Sequence, residues 1–411
     1  MSDASAATMR LPASPPAMPR DRRSRLALRL ARRLAVGTLT LTLPDGGTHR
    51  FAATASPSAT LRIHDARALT RLALRGRLGL AEAYLDGMWD SPDLRGLMTL
   101  AVANEDAWLA TMRGSRWARA GAWLLHRLRP NTRDGARRNV VEHYDLGNVF
   151  FSAWLDAGMN YSAAVFDDPA KTLEQAQLTK LHRMCRMLGL RPGMRVLEIG
   201  CGWGGFAELA ARDYGARVVA ITLSPSQLAF ARERIARAGL GDQVELRLQD
   251  YREVSGTFDR IASIEMFEAV GERFWPTYFR VLRERLVPGG LAGLQTITIA
   301  DRLFWEYRRT ADFIQRHVFP GGMLPCPSRL RQEVSRAGLA ELQAHWFGLD
   351  YAETLARWYA AFEHAWPDIT RRSRHTDARF KRLWEFYLSY CETGFRVGWT
   401  DVGQLLLMRP A

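Results

Sequence analysis

The chain has 411 residues, which is enough for one large hydrophobic core or for two to three smaller ones. Its 47% hydrophobic and 24% charged residues are typical of a globular protein, and no apolar run is long enough to predict a membrane span. The formal net charge of +14 favours polyanionic partners, either nucleic acid or an anionic lipid surface, although freely used solvated arginines give the same excess. The four cysteines form no C-x-x-C pair, which predicts no metal site, no disulfide framework and a reducing compartment.

The N-terminal residues predict a tail and a basic helix. Residues 1–19 are rich in Ala, Ser and Pro and lack the apolar segment of a secretory signal, so we expect a disordered tail and a cytoplasmic protein. Residues 20–33 carry seven arginines and one aspartate, interleaved with leucines. This pattern predicts a basic helix that either lies on anionic lipid or is solvated and packs against its own domain.

A small α+β domain is predicted next. Thr38 to Phe51 alternates apolar and polar residues around an Asp-Gly-Gly turn, which predicts a β-hairpin. Helical spacing of leucines follows from Ala66 to about Asn104. We therefore assign residues 20–113 to a basic α+β domain and the Arg-, Trp- and Gly-rich residues 114–138 to a linker.

Residues 139–411 have the pattern of an α/β domain. Strands that alternate with helical segments predict right-handed βαβ units, and therefore a doubly wound, Rossmann-like sheet that is mostly parallel with helices on both faces. The five predicted strands are Arg195–Gly200, Arg217–Ser224, Val244–Asp250, Phe258–Met266 and Gly290–Thr298.

The glycine-rich segment EIGCGWGG, residues 198–205, is the sharpest motif. It lies between a predicted strand and a predicted helix, where a backbone without side chains can approach a ligand. Its spacing also fits a dinucleotide fingerprint. Two features favour S-adenosylmethionine instead: Glu198 precedes the first glycine and suits a ligand with an amino group, and the second strand ends at Thr222 without the acid that binds an NAD ribose. Many methyltransferases carry such an acid too, so the motif alone leaves both ligands open.

Several motifs in order resemble the cyclopropane-fatty-acyl-phospholipid synthase and mycolic acid methyltransferase family. They are HYDLGNVFF, NYS, GCGWGG, ITLSPSQ, LQDYRE and FDRIASIEMFEAVG. The resemblance runs from about Asn139 to the C-terminus, and the N-terminal third resembles the extra domain of bacterial members less distinctly. It implies a class I methyltransferase domain with a helical insert that covers the lipid, and S-adenosylmethionine as the cofactor. It also implies methyl transfer to a double bond of an unsaturated phospholipid acyl chain.

The resemblance further implies which residues bind the cofactor. Tyr161 and Ser162 are expected at its methionine end, and Gly200, Cys201 and Gly202 in the glycine turn, beside the Glu198 already assigned to the amino group. Thr222 and Gln227 are expected at its ribose, and Asp250 and Tyr251 at its adenine. A core position at a strand end is the alternative for Tyr251, and a small packed side chain is the alternative for Cys201.

The implied reaction places a carbocation on the acyl chain. It requires a long apolar pocket, aromatic faces or carboxylates that stabilise the cation, and a base. In relatives that close a cyclopropane ring, the base is a bicarbonate held by a cysteine, a glutamate, a histidine, a tyrosine and a main-chain group. Glu268, Tyr351 and Ile297 match three of these positions, whereas Ala163 and Gln295 replace the cysteine and the histidine. Bicarbonate binding is therefore uncertain, and the expected cyclopropane product has a methylene or methyl-branched product as its alternative.

Two further residues are candidates for the catalytic site. Glu265 stands where relatives commonly have glycine, one helical turn before Glu268 if that segment is helical. Two close carboxylates would raise one pKa and create a base, whereas a surface charge at a strand end is the alternative. Cys391 matches a cysteine often marked as the active-site residue of the family. A carbocation mechanism needs no thiolate, so we expect a positional or structural role for Cys391.

These observations predict a cytoplasmic enzyme that associates peripherally with the inner face of the membrane. Its expected partners are an anionic membrane surface and phospholipid acyl chains. Nucleic acid is not expected, because no RNA- or DNA-binding motif occurs. An arginine- and aromatic-rich helix over residues 302–319 is a second candidate for contact with head groups. A small-molecule or RNA methyltransferase and a non-catalytic lipid- or cofactor-binding relative are lesser alternatives, and a homodimer is left open.

Overall fold

The computed structural model describes residues 21–112, 147–310, 312–372 and 376–411. It divides the chain into two units, Met1–Gly114 and Ser115–Ala411. The predicted tail, the predicted linker and the predicted start of the catalytic domain at Asn139 lie outside the described residues, and the predicted domain boundaries therefore stay predictions.

The first unit combines a four-stranded sheet with helices. Its strands are β1 (Thr38–Thr42), β2 (Thr48–Ala52), β3 (Ser58–Ile63) and β4 (Trp89–Asp90), in the order β2-β1-β3-β4. Its helices are α1 (Arg22–Ala31), α2 (Arg67–Leu85), α3 (Leu94–Ala103) and α4 (Glu105–Met112). The predicted hairpin is present as the antiparallel pair β1 and β2. The helical stretch predicted from residue 66 to 104 is interrupted, because β4 pairs with the end of β3.

Helix α1 has one apolar and one cationic face. Asp21 begins it by accepting a hydrogen bond from the backbone N–H of Ser24 at 2.9 Å. The helix buries Ala27, Leu28 and Ala31 within the first unit, and its arginines are exposed. It therefore packs on its own unit while it presents cations to the solvent.

The second unit is built on a seven-stranded sheet of order β10-β11-β9-β8-β5-β6-β7. Its strands are β5 (Arg195–Ile199), β6 (Arg217–Thr222), β7 (Val244–Leu248), β8 (Phe258–Ile264), β9 (Leu286–Ile299), β10 (Ala340–Trp346) and β11 (Thr400–Met408). The strands from β9 to β7 run parallel, whereas β10 and β11 run antiparallel. The predicted α/β fold with a mostly parallel sheet is confirmed, and all five predicted strands are present.

Ten helices of the second unit lie within the described residues. They are α5 (Asn148–Ser152), α6 (Leu173–Met187), α7 (Gly205–Tyr214), α8 (Pro225–Arg237), α9 (Trp275–Arg285), α10 (Asp301–Tyr307), α11 (Phe313–His317), α12 (Pro327–Arg336), α13 (Gly348–Arg372) and α14 (Ala378–Arg396). The single helix predicted over residues 302–319 is two short helices, α10 and α11. No helix among the described residues is long and apolar enough to cross a bilayer.

An aromatic cluster joins helices α5, α13 and α14. Its members are Phe150, Phe151, Trp154, Tyr161, Trp358 and Trp384. The rings of Trp154 and Trp358 lie 5.8 Å apart at a steep angle, and Tyr161 lies 5.3 Å from Trp358. Such edge and tilted contacts are the favoured geometry for aromatic pairs. Most of these aromatic residues therefore form a core that fixes the position of Tyr161.

Removal of a cluster ring is expected to destabilise the second unit. Trp358 is 0% exposed, so Trp358→Ala should lower the free energy of unfolding by about 3–5 kcal/mol. Trp305 is 54% exposed, and Trp305→Ala should change it by less than about 0.5 kcal/mol. Urea unfolding of the two variants, followed by circular dichroism, measures the difference. Equal destabilisation by both substitutions would contradict the packing described.

Candidate active site

One cavity lies at the carboxyl ends of β5, β6 and β8, where ligands bind in open parallel sheets. All ten residues predicted to bind the cofactor line this cavity: Tyr161, Ser162, Glu198, Gly200, Cys201, Gly202, Thr222, Gln227, Asp250 and Tyr251. Glu265 lines it as well, at the end of β8. The structure therefore brings together motifs that are widely separated in the sequence.

The glycine turn after β5 has a backbone that requires glycine. Gly200 has a φ of 85° and Gly202 a φ of 51°, which place both in the left-handed region. The backbone N–H of Gly200 and that of Cys201 donate to the carbonyl oxygen of Ile221, at 3.0 and 2.9 Å, and this ties the turn to β6. A Cβ atom on Gly200 would lie 2.7 Å from the side chain of Met266. The turn thus has no room for a side chain at position 200 unless Met266 moves.

Glu198 provides a direct test of the fit between the cavity and S-adenosylmethionine. Its side chain is 3% exposed, and its Oε2 atom has no hydrogen-bond partner among the described residues. Burial raises the pKa of this carboxyl to about 8, although the Ala207 N–H and Arg234 oppose the shift. A buried acceptor without a donor is unfavourable unless a ligand satisfies it. The amino group of S-adenosylmethionine fits this requirement.

The other predicted contacts are partly used within the protein. Thr222 donates to the amide oxygen of Gln227 at 2.9 Å, so these two side chains are held as a pair beside the cavity. Asp250 accepts from the guanidinium of Arg252 at 2.8 and 2.6 Å and is therefore neutralised. Tyr251 packs edge-on against Tyr278 at 5.5 Å, as its alternative role in the core predicted. No group of three or more acidic, histidine or cysteine side chains within the described ranges is arranged to hold a metal ion.

Glu265 is neither helical nor a surface charge. Its φ of 48° lies in the left-handed region, and the 3-10 turn Phe267–Ala269 begins only after it. The conditional expectation of one helical turn between Glu265 and Glu268 is therefore wrong. The unusual backbone turns the Glu265 side chain inward, and such strained residues occur at functional sites.

Three donors hold the carboxylate of Glu265. Its Oε1 atom accepts from the backbone N–H of Ala163 and from the side-chain amide of Gln295, each at 2.8 Å. Its Oε2 atom accepts from the hydroxyl of Tyr351 at 2.6 Å. Burial raises the pKa of Glu265, while these donors and the charge of Lys180 oppose the shift. Ala163, Gln295 and Tyr351 occupy positions that the family resemblance assigns to bicarbonate, so a carboxylate of the chain lies where that anion was expected.

Glu268 is the second acidic side chain of the site and forms a pair with Glu265. Its Oε1 atom accepts from the hydroxyl of Thr296 at 2.9 Å and from the backbone N–H of Ile297 at 2.5 Å. Burial and the negative charge of Glu265 raise the pKa of Glu268 to about 8, whereas its hydrogen bonds oppose the shift. The negative charge of Glu265 disfavours ionisation of Glu268, so Glu265 is the better candidate for the ionised member of the pair.

Cys391 was predicted as a site residue from the sequence, but it lies outside the cavity. Burial raises the pKa of its thiol, so it remains protonated.

Lys180 was not predicted, yet it lines the cavity and donates to the hydroxyl of Ser162 at 2.6 Å. Burial lowers the pKa of Lys180 to about 8, against the opposing charges of Glu265 and Asp156. The available signal was its place on the buried face of α6, three residues after Gln177 and four residues before Met184.

Comparisons with known proteins agree with this geometry. Residues 131–405 match the family model described as mycolic acid cyclopropane synthetase. The chain is 38% identical over 397 residues to the tuberculostearic acid methyltransferase UfaA1 of Mycobacterium tuberculosis, which covers 93% of this chain and 91% of that protein. It is 37% identical over 357 residues to the cyclopropane-fatty-acyl-phospholipid synthase of Escherichia coli, which covers 86% of this chain and 89% of that protein.

A solved structure is also similar to the second unit. The crystal structure of mycolic acid cyclopropane synthase CmaA1 complexed with SAH and CTAB has a TM-score of 0.63 and 30% identity to this chain. The match covers 66% of this chain and 98% of CmaA1. Because UfaA1 matches 93% of this chain, the similarity to that relative extends into the first unit as well.

Replacement of the ionisable carboxyl of Glu198 should weaken cofactor binding, because only a carboxylate can pair with the amino group of the ligand. Glu198→Gln keeps the shape of the side chain but not the ionised acceptor, and a hydrogen bond to a charged group is worth roughly 10- to 100-fold in affinity. Isothermal titration with S-adenosylhomocysteine measures the change. Glu233→Gln, at a side chain that is 71% exposed on α8, is the matched control and should bind as the unmodified protein does. Equal affinities for both variants would contradict the assignment.

Proposed function

The chain belongs to the mycolic acid cyclopropane synthetase family and is an S-adenosylmethionine-dependent methyltransferase, and from this we propose that it methylates the double bond of unsaturated phospholipid acyl chains. The Escherichia coli relative is named for fatty acyl phospholipids, and the CmaA1 structure contains CTAB, which has a long alkyl chain. The carboxylate pair beside the cavity supports the same chemistry.

The residues of this chain provide what the reaction requires. S-adenosylmethionine supplies an electrophilic methyl group, so that attack by the double bond leaves a positive charge on the acyl chain. The negative charge of Glu265 stabilises that cation across a short distance in a site of low polarity. The same carboxylate then accepts a proton from the added methyl group, while Ala163, Gln295 and Tyr351 hold it in place. Overall, a C–C bond to the lipid forms as the methyl–sulfur bond breaks, and one C–H bond then breaks, with its electron pair neutralising the cation and its proton carried by Glu265.

We infer a methylene-branched product rather than a cyclopropane. Ring closure requires that the methyl proton leaves before the cation rearranges. Glu265 is tethered to the chain and held by three hydrogen bonds, so it cannot follow the added methyl group as a free anion can. Slower proton removal gives time for a hydride to move to the cationic carbon, and loss of a methyl proton then leaves a methylene group. The relatives' names do not decide this point, because one is a methyltransferase and the other a cyclopropane synthase.

Lipid analysis tests both parts of the proposal. Cells that express the protein are grown with methyl-deuterated methionine, and their fatty acids are examined by mass spectrometry and proton NMR. We expect a one-carbon gain with two deuteriums retained, and the deuterium label located on a vinylidene carbon. Cyclopropane signals would overturn the inferred product but not methyl transfer. No labelled lipid and no release of S-adenosylhomocysteine would overturn the proposed function.

The two carboxylates are expected to have unequal roles. Glu265→Gln should lower turnover by about 100- to 10,000-fold, the usual contribution of a general base. Glu268→Gln should retain more activity, because its carboxyl is bound by Thr296 and Ile297 and is not the assigned proton acceptor, and turnover should keep an acid limb set by Glu265. The sign follows from the base being active only when ionised, so turnover is lost as the pH falls through the pKa of Glu265, which burial raises. Full turnover in Glu265→Gln together with none in Glu268→Gln would contradict this assignment.

We propose an anionic membrane surface as the second partner. Arg22, Arg25 and Arg29 are exposed on α1 and lie on one helical face at spacings of three and four residues. No acidic side chain among the described residues forms an ion pair with them. Each cation near an anionic bilayer contributes roughly 1 kcal/mol of attraction, so together they favour docking beside the lipid substrate.

Vesicle sedimentation tests this surface with a charge-matched control. The triple change Arg22→Gln, Arg25→Gln and Arg29→Gln should reduce binding to phosphatidylglycerol vesicles by at least about tenfold, and added salt should weaken the binding that remains. The control removes three exposed arginines that pair with acids: Arg237→Gln, Arg280→Gln and Arg371→Gln. Equal losses in the two triple variants would indicate attraction by net charge alone and would contradict a docking face on α1.

A further inference from the structure

A line of hydrogen bonds runs behind Glu265 and ends at an arginine. The Nε of Arg183 donates to the side-chain oxygen of Gln404 at 2.7 Å. The amide nitrogen of Gln404 donates to the side-chain oxygen of Gln295 at 2.9 Å, and that of Gln295 donates to Glu265 at 2.8 Å. The bond to Glu265 is part of the site already described, whereas Arg183 and Gln404 have no role in it so far.

The chemistry of arginine fixes the direction of this line. A guanidinium only donates, so Gln404 must turn its oxygen toward Arg183 and its nitrogen toward the next amide. Gln295 must then accept with its oxygen, which leaves its nitrogen to face Glu265. The hydrogen bond from Arg183 therefore determines the orientation of both amides.

The second proton of each amide supports the same orientation. The nitrogen of Gln404 also lies 3.4 Å from the carbonyl oxygen of Lys180, and that of Gln295 lies 3.5 Å from the carbonyl oxygen of Ala163. A reversed amide at either position would place one oxygen against another. Such a contact between two acceptors is unfavourable in a buried site.

The fold holds the two amides side by side. Gln404 and Gln295 are directly paired across the antiparallel strands β11 and β9, so their side chains leave the sheet on the same face. Both are 0% exposed, which keeps water from exchanging with their hydrogen bonds. Arg183 is fixed in turn over the ring of Phe347, with its guanidinium carbon 4.4 Å from the ring centre.

We propose that Arg183 and Gln404 are positioning residues that orient the Gln295 amide so that it donates to Glu265 and keeps this base in place and ionised. The proposal deepens the proposed function and rests on the role of Glu265 as the base. Without the line, Gln295 can reverse and present its oxygen to the carboxylate. Glu265 would then lose a donor, gain a repulsive neighbour and hold its proton more tightly.

Other charged groups also face Glu265 and must be kept constant in a test. Lys180 on α6 favours the ionised form, the hydroxyl of Tyr351 on α13 donates to it, and the charge of Glu265 in turn raises the pKa of Glu268. Replacement of Arg183 removes a charge and could act through distance alone. Gln404→Met changes no charge, and it is therefore the decisive variant.

The experiment compares the pH dependence of turnover in the full-length protein on unsaturated phosphatidylglycerol vesicles. For Gln404→Met we expect the acid limb of kcat to move up by about one pH unit and kcat at neutral pH to fall about tenfold, with KM for S-adenosylmethionine unchanged. Arg183→Met should shift the limb in the same direction, and Arg183→Lys should recover most of the loss because lysine also only donates. A carboxyl infrared band assigned through Glu265→Gln should titrate at higher pH in Gln404→Met, without any turnover.

The outcomes separate this inference from the proposed function. If the unmodified protein releases no S-adenosylhomocysteine with lipid, the proposed function fails. If it is active and Gln404→Met has the same acid limb and the same infrared titration, the positioning role is overturned. A loss of kcat with no change in pH dependence would indicate a structural role only and would overturn it as well. If Gln404→Met does not fold, the variants Arg183→Met and Arg183→Lys replace it at a partly buried position, and equal pH profiles for these two variants would contradict the proposal.

Discussion

A carboxylate removed from water stays ionised only where hydrogen-bond donors replace its hydration, and the second unit is arranged around this requirement at Glu265. The backbone of Ala163, the amide of Gln295 and the hydroxyl of Tyr351 each supply one donor. These donors come from the segment before α6, from strand β9 and from helix α13. The sheet, the glycine-containing cavity and the helices that follow must all be in place before the three donors can meet. The base therefore exists only in the folded protein.

The same constraint connects the cofactor cavity with the base. Lys180 donates to Ser162, which lines the cavity, and its positive charge opposes the rise in the pKa of Glu265. Glu198 at the other side of the cavity keeps an unsatisfied buried oxygen that a ligand amino group can satisfy. Each charged group of the site is thus balanced by another group or by the expected ligand. This balance explains how the carboxyl groups of Glu198 and Glu265 can share one cavity in a stable domain.

The sequence predicted the parts of the structure that depend on local patterns. The five apolar runs became β5 to β9, and the predicted glycine turn follows β5, where Gly200 and Gly202 have positive φ values. Strands β10 and β11 were not predicted, because β10 is largely exposed and β11 is buried on both faces, so neither alternates clearly. The contacts of Glu265 were not predictable either. Its partners Ala163 and Tyr351 lie 102 and 86 residues away in the sequence. Its positive φ is also incompatible with the helix that the sequence suggested for this segment. Gln404 was hidden in an apolar run, where only the pairing with β9 reveals its role.

We propose that Glu265 is the base that accepts the methyl proton, a role for which ring-closing relatives are expected to use bicarbonate. Its most direct test is the dependence of methyl transfer on that anion. Turnover is measured in buffer freed of carbon dioxide and again with added bicarbonate at constant ionic strength and pH. We expect the same rate in both buffers, because the carboxylate of Glu265 already accepts hydrogen bonds from the donors at positions 163, 295 and 351. A rate that falls when bicarbonate is removed and returns when it is added would contradict the role of Glu265 as the base.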